Sequence, residues 1–148
     1  MTKISLQLFA VLVLWCSGSL CVCAGETLYA RLGGDAGVAI ICNTLIDRVA
    51  TDPILGRSFR DSKLGRIKHL LGEQICELSG GPCRYSGDSM KEVHAGHQIS
   101  EAEFFQMVEI LRQVLKEQHT DLGTINQLLK LLAPMKRDIV EHRTRVVQ

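Results

Sequence analysis

The chain has 148 residues, of which 46% are hydrophobic and 5% aromatic, and its formal net charge is +1. This length suits a single domain that is large enough to enclose a buried cofactor. The near-zero charge argues against nucleic-acid binding, because no surplus of basic residues is available to neutralise phosphates. The modest numbers of glycine (13) and proline (3) exclude collagen-like and disordered chains.

The N-terminal segment has the features of an export signal. Lys3 gives it a positive start, an apolar run follows from Ile4 to Trp15, and Val22-Cys23-Ala24 provides the small residues of a cleavage site. The run is shorter than the roughly 20 residues that a membrane-spanning helix needs, and retention as an uncleaved anchor is the alternative. We therefore expect a signal peptide over residues 1–24, a mature domain over residues 25–148, and export to the periplasm or secretion without membrane attachment.

Cleavage of this signal leaves three of the six cysteines, namely Cys42, Cys76 and Cys83. An odd number in an oxidising compartment means either one free thiol or a bridge between two chains. Cys76 and Cys83 are close in sequence and are the expected pair, although the geometry of the folded chain decides this.

The first half of the mature segment predicts three helices in chain order. A short helix starts over residues 29–32 and is stopped by a pair of glycines. Asp35 is expected to cap the second helix, which has apolar residues at helical spacing and ends at Asp52-Pro53. A third amphipathic helix begins near Asp61-Ser62 and ends at Gly80-Gly81-Pro82.

The second half begins with an irregular segment over residues 83–99. A Ser-x-x-Glu capping box at residues 100–103 predicts the start of a fourth helix. A Thr-x-x-Gln box at residues 124–127 predicts the start of a last helix, which Pro134 should kink. Because no alternating pattern typical of strands occurs, the predicted fold class is all-α.

One of the five histidines lies in a distinctive setting. His94 ends the short amphipathic stretch Met90-Lys91-Glu92-Val93-His94 inside the irregular segment. An imidazole presented from a brief helix towards an apolar helical core is what the iron of a buried haem requires as an axial ligand. His97 is the rival on the same segment, and we expect it to face solvent.

Several motifs together resemble group I truncated haemoglobins, the short two-on-two globins. In chain order, these motifs are Leu28-Tyr29-x-x-Leu32-Gly33-Gly34, Asp47-Arg48-Val49-x-x-Asp52 with Phe59, Gly80-Gly81-Pro82, Tyr85-x-Gly87-x-x-Met90-Lys91-x-Val93-His94, and then Ile99 and Phe104. The resemblance covers essentially all of residues 27–140. It implies a truncated globin fold, a two-on-two helical sandwich around a non-covalently bound haem b.

Carried onto this chain, the resemblance makes His94 the proximal iron ligand. Phe59 would pack on the distal side of the porphyrin, and Tyr85 with Lys68 would meet the haem propionates. The proximal wall and the ring edge would be formed by Met90, Val93, Ile99 and Phe104.

The distal side departs from the family. Oxygen-binding members usually carry a tyrosine on the second helix and a glutamine on the third, and both hydrogen-bond the ligand. The matching positions are Ile46 and Leu71, with Ile67 at the gate between them and Met107 on the fourth helix. A missing donor costs about 1–3 kcal/mol, or about 5- to 150-fold in oxygen affinity, whereas carbon monoxide and nitric oxide gain less from one. Gln74 is expected to lie too deep to touch the ligand.

The implied function is reversible binding of oxygen, nitric oxide and carbon monoxide, as a carrier, scavenger or sensor, with weak oxygen retention. A redox partner protein is a further candidate partner. One alternative is a haem enzyme, such as a nitric oxide dioxygenase or a peroxidase-like protein, but the apolar pocket lacks the polar acid–base group that peroxide chemistry needs. Another is electron transfer, which ligation of the iron by His69 or Met107 would favour. His69 is one position before the place of a second histidine in some relatives, so its side chain should point about 100° away.

Overall fold

The structure, a computed structural model, describes residues 25–141. The predicted signal peptide, residues 1–24, and the C-terminal residues 142–148 lie outside the described part. Within it the α-helices are α1 (Leu28–Arg31), α2 (Gly34–Thr51), α3 (Leu64–Leu78), α4 (Met90–His94), α5 (Glu101–Glu117), α6 (Leu122–Leu132) and α7 (Lys136–Ile139). Two 3₁₀ turns cover Leu55–Phe59 and Ala133–Met135. No strand occurs in residues 25–141, which confirms the all-α prediction.

The junction between α1 and α2 depends on a glycine. Gly33 has φ 89°, a left-handed conformation that favours glycine, and it is the N-cap of α2. Asp35, predicted to cap α2, therefore lies within its first turn instead. There the carboxylate suits the positive end of the helix dipole and accepts a hydrogen bond from the hydroxyl of Tyr29.

Helix α2 is the centre of the hydrophobic core. Its buried face, with the helical spacing predicted from sequence, consists of Val38, Ile41, Cys42, Leu45, Ile46 and Val49. This face packs against α3, α5 and the first 3₁₀ turn, while α5 also contacts α6. The two helical pairs α2–α3 and α5–α6 form the expected sandwich. None of the helices in the described residues combines the length and apolar character needed to cross a membrane.

Helix α3 begins at Leu64, shortly after the predicted Asp61-Ser62, and its N-cap Lys63 makes no side-chain capping bond. Beyond its C-terminus, a disulfide joins Cys76 to Cys83, with 5.7 Å between the Cα atoms. The expected pair is thus the observed one. The remaining thiol in residues 25–141 is that of Cys42, which is 1% exposed, and burial raises its pKa to about 12.

Side-chain caps fix the starts of α4 and α5. Ser89 with Glu92 and Ser100 with Glu103 both form complete capping boxes, the second of which was predicted from sequence. The predicted box at residues 124–127 is wrong, because the N-cap of α6 is Asp121, whose carboxylate accepts a hydrogen bond from the backbone of Thr124. The Pro134 kink is confirmed as a 3₁₀ turn between α6 and α7.

Candidate functional site

A largely apolar cavity of about 300 Å³ lies between α3 on one side and α4 and the C-terminal turns on the other. Helices α2 and α5 contribute its inner wall. Of the twelve residues predicted to hold a cofactor, eleven line this cavity, namely Ile46, Phe59, Ile67, Leu71, Tyr85, Met90, Val93, His94, Ile99, Phe104 and Met107. The fold therefore brings together residues that are spread over more than 60 positions of sequence, as the span from Ile46 to Met107 shows.

His94 is the half-buried imidazole of this cavity. Its Nδ1 lies 2.7 Å from the backbone carbonyl of Met90, one helical turn earlier. Since a carbonyl oxygen can only accept, Nδ1 carries the proton, and in the neutral ring Nε2 keeps its lone pair. Burial lowers the pKa of His94 below its ordinary value. The hydrogen bond with the Met90 carbonyl opposes this shift, and the nearby His97 adds to it. The imidazole is thus neutral, with the lone pair of Nε2 available to coordinate a metal ion.

The wall across from α4 is apolar at the four positions predicted to face an iron-bound gas. Ile46 is 1% exposed, and Leu71 and Ile67 pack against the same core cluster from α3. Met107 reaches this wall from α5. None of these four side chains carries an N–H or O–H group, so they offer a bound ligand van der Waals contact only.

The two predicted propionate contacts differ. Tyr85 borders the cavity, with its hydroxyl donating to the backbone carbonyl of Asp88 at 2.8 Å. Burial and the neighbouring Asp88 raise the pKa of this phenol, while the positive charge of Arg66 on α3 partly opposes them. Lys68 does not line the cavity, and its contact with a propionate stays a prediction. Its Nζ lies 2.6 Å from Asp47 on α2, because the register of α3 turns this side chain towards α2.

Two further histidines are placed by the helix register. His69 is turned to solvent, with 72% of its side chain exposed and Nε2 3.1 Å from the carboxylate of Glu73. It does not border the cavity, as its position on α3 predicted. His97 is exposed, as expected, yet it also contributes to the cavity rim.

Sequence reasoning missed the part of the cavity wall that the C-terminal turns supply. These residues are Leu132, Met135 and Ile139. Their apolar spacing was visible in the sequence, but nothing there indicated that the chain would return to α4 after the Pro134 turn. The return is secured by Glu141, whose backbone N–H donates to the carbonyl of Ile99 and whose carboxylate accepts from the N–H of Gly96.

The residues present fit a haem. An apolar cavity with one half-buried imidazole offers the single nitrogen ligand and the apolar surroundings that a porphyrin iron takes up in globins. The rim residues Tyr85 and His97 are polar, which suits the wetter edge of such a group. No cysteine of the described residues borders the cavity, and the cysteines of α3 and its following loop are already joined.

Comparison with known proteins agrees with this geometry. The family model described as bacterial-like globin matches residues 27–141. The group 1 truncated hemoglobin GlbN of Mycolicibacterium paratuberculosis is 27% identical over 113 residues, which are 76% of this chain and 83% of that protein. The group 1 truncated hemoglobin of Tetrahymena pyriformis is 24% identical over 115 residues, covering 78% of this chain and 95% of the relative.

Solved structures show the same fold. The Fe(III) form of the truncated hemoglobin from Tetrahymena pyriformis aligns with a TM-score of 0.75 at 24% identity, over 79% of this chain and all (100%) of that one. The 2/2 hemoglobin from a Synechococcus species, solved in the cyanomet state with covalently attached heme, aligns with a TM-score of 0.73 at 21% identity, with the same coverage of 79% and 100%. The chain therefore belongs to the bacterial-like globin family, and as a truncated globin it is, by implication of that family, a haem-binding protein.

Proposed function

We propose that this protein holds haem b non-covalently through His94 and binds diatomic gases in the cavity opposite that residue. The observation that carries the proposal is the hydrogen bond from Nδ1 of His94 to the Met90 carbonyl, which leaves Nε2 as a neutral donor beside an apolar cavity. The haem iron, when bound, supplies an open coordination position for a small ligand. The gas-binding character of the truncated hemoglobins to which this chain is similar supports the same assignment.

Different residues of the chain would contact the two faces and the edge of the haem. Met90, Val93 and Phe104 would cover the side of His94, and Phe59 the opposite side. Tyr85 would stand at the polar edge of the cavity. Exclusion of water by these apolar walls would favour neutral ligands over ions.

The apolar wall of Ile46, Leu71, Ile67 and Met107 indicates which gases are held well. Without a hydrogen-bond donor, oxygen loses about 1–3 kcal/mol of stabilisation, whereas carbon monoxide and nitric oxide depend less on such a donor. We propose a scavenger, sensor or carrier for the latter two gases with weak oxygen retention.

The gas profile is tested with the mature protein, residues 25–148, loaded with haem and reduced. We expect tight binding of carbon monoxide and nitric oxide and rapid oxidation of the iron in air. A long-lived oxygen adduct would contradict the assignment and favour dioxygenation of nitric oxide. A ferric spectrum that is six-coordinate and low-spin without added ligand would favour electron transfer with a redox partner, with Met107 as the cavity's candidate second ligand.

Export belongs to the same proposal and rests on the sequence of residues 1–24. The disulfide between Cys76 and Cys83 is in keeping with an oxidising compartment. Fractionation of cells expressing the full chain is the test. We expect a mature protein that begins at Gly25 outside the cytosol, and full-length protein in the cytosol would contradict export.

A further inference from the structure

Gln74 is an unusual residue in the cavity wall. Three polar residues are buried within residues 25–141, namely Gln74, Ser79 and Thr124. Ser79 donates to the carbonyl of Ile75 at 2.6 Å, and Thr124 is hydrogen-bonded to Asp121, so both have oxygen partners. The Gln74 amide has only a thioether, with 3.3 Å between its Nε2 and the sulfur of Met90.

A thioether is a weak hydrogen-bond acceptor, so this bond offsets only part of the desolvation cost of burying the Gln74 amide. An apolar side chain of the same length would fill this place in the cavity without that cost. The presence of a buried amide, 9% exposed, therefore calls for a role that packing alone does not provide. The identity of its partner indicates what that role is.

Met90 connects Gln74 to His94. Its side-chain sulfur accepts from Gln74, while its backbone carbonyl accepts from Nδ1 of His94 at 2.7 Å. One residue of α4 thus receives a hydrogen bond from α3 through its side chain and orients the imidazole through its backbone. A displacement of the Met90 backbone after loss of the first bond would change the second.

Helix α4 has little else to hold it against α3. It has five residues, and none of them is buried. Its helix packing is on α7, and its first turn is fixed locally by the capping box of Ser89 and Glu92. Within residues 25–141, the bond from Gln74 to Met90 is the one side-chain hydrogen bond that joins α3 to α4.

We propose that Gln74 is a positioning residue for His94, acting through Met90. The amide holds the Met90 side chain against α3, and this fixes the turn of α4 whose carbonyl sets the orientation and basicity of the imidazole. Hydrogen bonds to the second nitrogen of a ligating histidine tune the metal bond in this way. The inference rests on the proposed role of His94 as the iron ligand.

The experiment is a double-mutant cycle read by resonance Raman spectroscopy of the ferrous, ligand-free protein. The variants are Gln74→Met, which keeps the length of the side chain and removes the donor, Met90→Leu, which removes the acceptor, and the two combined. Gln106→Met is the matched control, because this amide on α5 donates to Asp52 at 2.8 Å and does not border the cavity. The quantity measured is the frequency and width of the iron–histidine stretching band.

We expect the band to shift or broaden in Gln74→Met and in Met90→Leu, with no further change in the double variant, and to stay as in the wild type in Gln106→Met. A band unchanged in both single variants, or shifts that add in the double variant, would overturn the positioning role. If Gln74→Met does not fold, Gln74→Leu takes its place in the cycle, because it also removes the donor. A wild-type protein without an iron–histidine band would instead contradict the proposed role of His94, so the two failures are distinguishable.

Discussion

Arg57 and Glu103, which lines the cavity, form an ion pair with 2.6 Å between Nη2 and Oε1. The same guanidinium donates to the backbone carbonyls of His97 and Gln98, at 3.0 and 3.2 Å. The first 3₁₀ turn, the loop after α4 and the first turn of α5 are therefore held by one side chain. Because Glu103 is only 12% exposed at its side chain, the pair is shielded from solvent on the carboxylate side.

We expect Arg57→Ala to lower the free energy of unfolding by about 1.5–3 kcal/mol, since hydrogen bonds to charged groups contribute about this much. Urea unfolding followed by circular dichroism measures the change. Arg84→Ala is the matched control, because Arg84 is 91% exposed in its pair with Glu77 and such pairs contribute about 0–1 kcal/mol. Equal effects in the two variants would contradict the structural role of Arg57.

The same carboxylate predicts a pH dependence. Hydrogen bonds from the backbone and the hydroxyl of Ser100, and then the charge of Arg57, lower the pKa of Glu103 below its ordinary 4.5. A group whose pKa is depressed by folding stabilises the native state above its unfolded pKa, and this contribution is lost as pH falls through the folded value. Stability should therefore be level above about pH 5 and fall below pH 4.5, the ordinary value of this carboxyl.

Glu103→Gln tests the assignment, because glutamine preserves a capping box but does not titrate. Below pH 4.5, we expect the stability of the variant to fall less steeply with decreasing pH than that of the wild type. Urea unfolding midpoints measured at each pH give this slope. Glu109→Gln, at an exposed carboxylate paired with Arg112, serves as the control and should keep the wild-type slope. A wild-type slope in Glu103→Gln as well would show that other carboxylates govern acid unfolding.

The disulfide of Cys76 and Cys83 closes a short loop beside the cavity, at a sequence separation of 7 residues. Chain-entropy reasoning gives about 2.5 kcal/mol for a loop of this size. We expect Cys83→Ser to lower the free energy of unfolding by about that amount, with wild-type haem content, since Glu77 and Glu73 also bind the backbone of Tyr85 and Ser86. Dithiol reduction of the wild type should have the same effect, and it should not alter Cys83→Ser.

The distal wall offers a gain-of-function test. The variant Ile46→Tyr with Leu71→Gln introduces the two donors that oxygen-binding relatives are expected to carry. We expect oxygen affinity to rise by about 5- to 150-fold, with a smaller change for carbon monoxide. Ligand association and dissociation rates measure both, and Ile46→Leu with Leu71→Met is the apolar control. An unchanged oxygen affinity would mean that this wall does not face the ligand.

Much of the site could be predicted because it depends on local patterns. The amphipathic stretch of α4 and the capping box at Ser100 can be recognised from the local sequence alone. They locate the short helix that carries His94 and the first residue of α5. The family resemblance then supplied the cavity residues. Lys68 was expected beside the cavity but pairs with Asp47, since one register step of about 100° decides which way a helix side chain points. The start of α6 was predicted at Thr124, whereas its N-cap is Asp121. A second candidate cap three residues downstream concealed the true start of α6.

The central claim is that His94 holds a haem, and one set of absorption spectra tests it most directly. The mature protein, residues 25–148, and its His94→Ala variant are loaded with haem and recorded ferric, ferrous, and ferrous with carbon monoxide. We predict a globin-type spectrum with carbon monoxide binding in the wild type, and loss or alteration of both in the variant. Absence of haem uptake by the wild type, or spectra unaffected by removal of His94, would contradict the account.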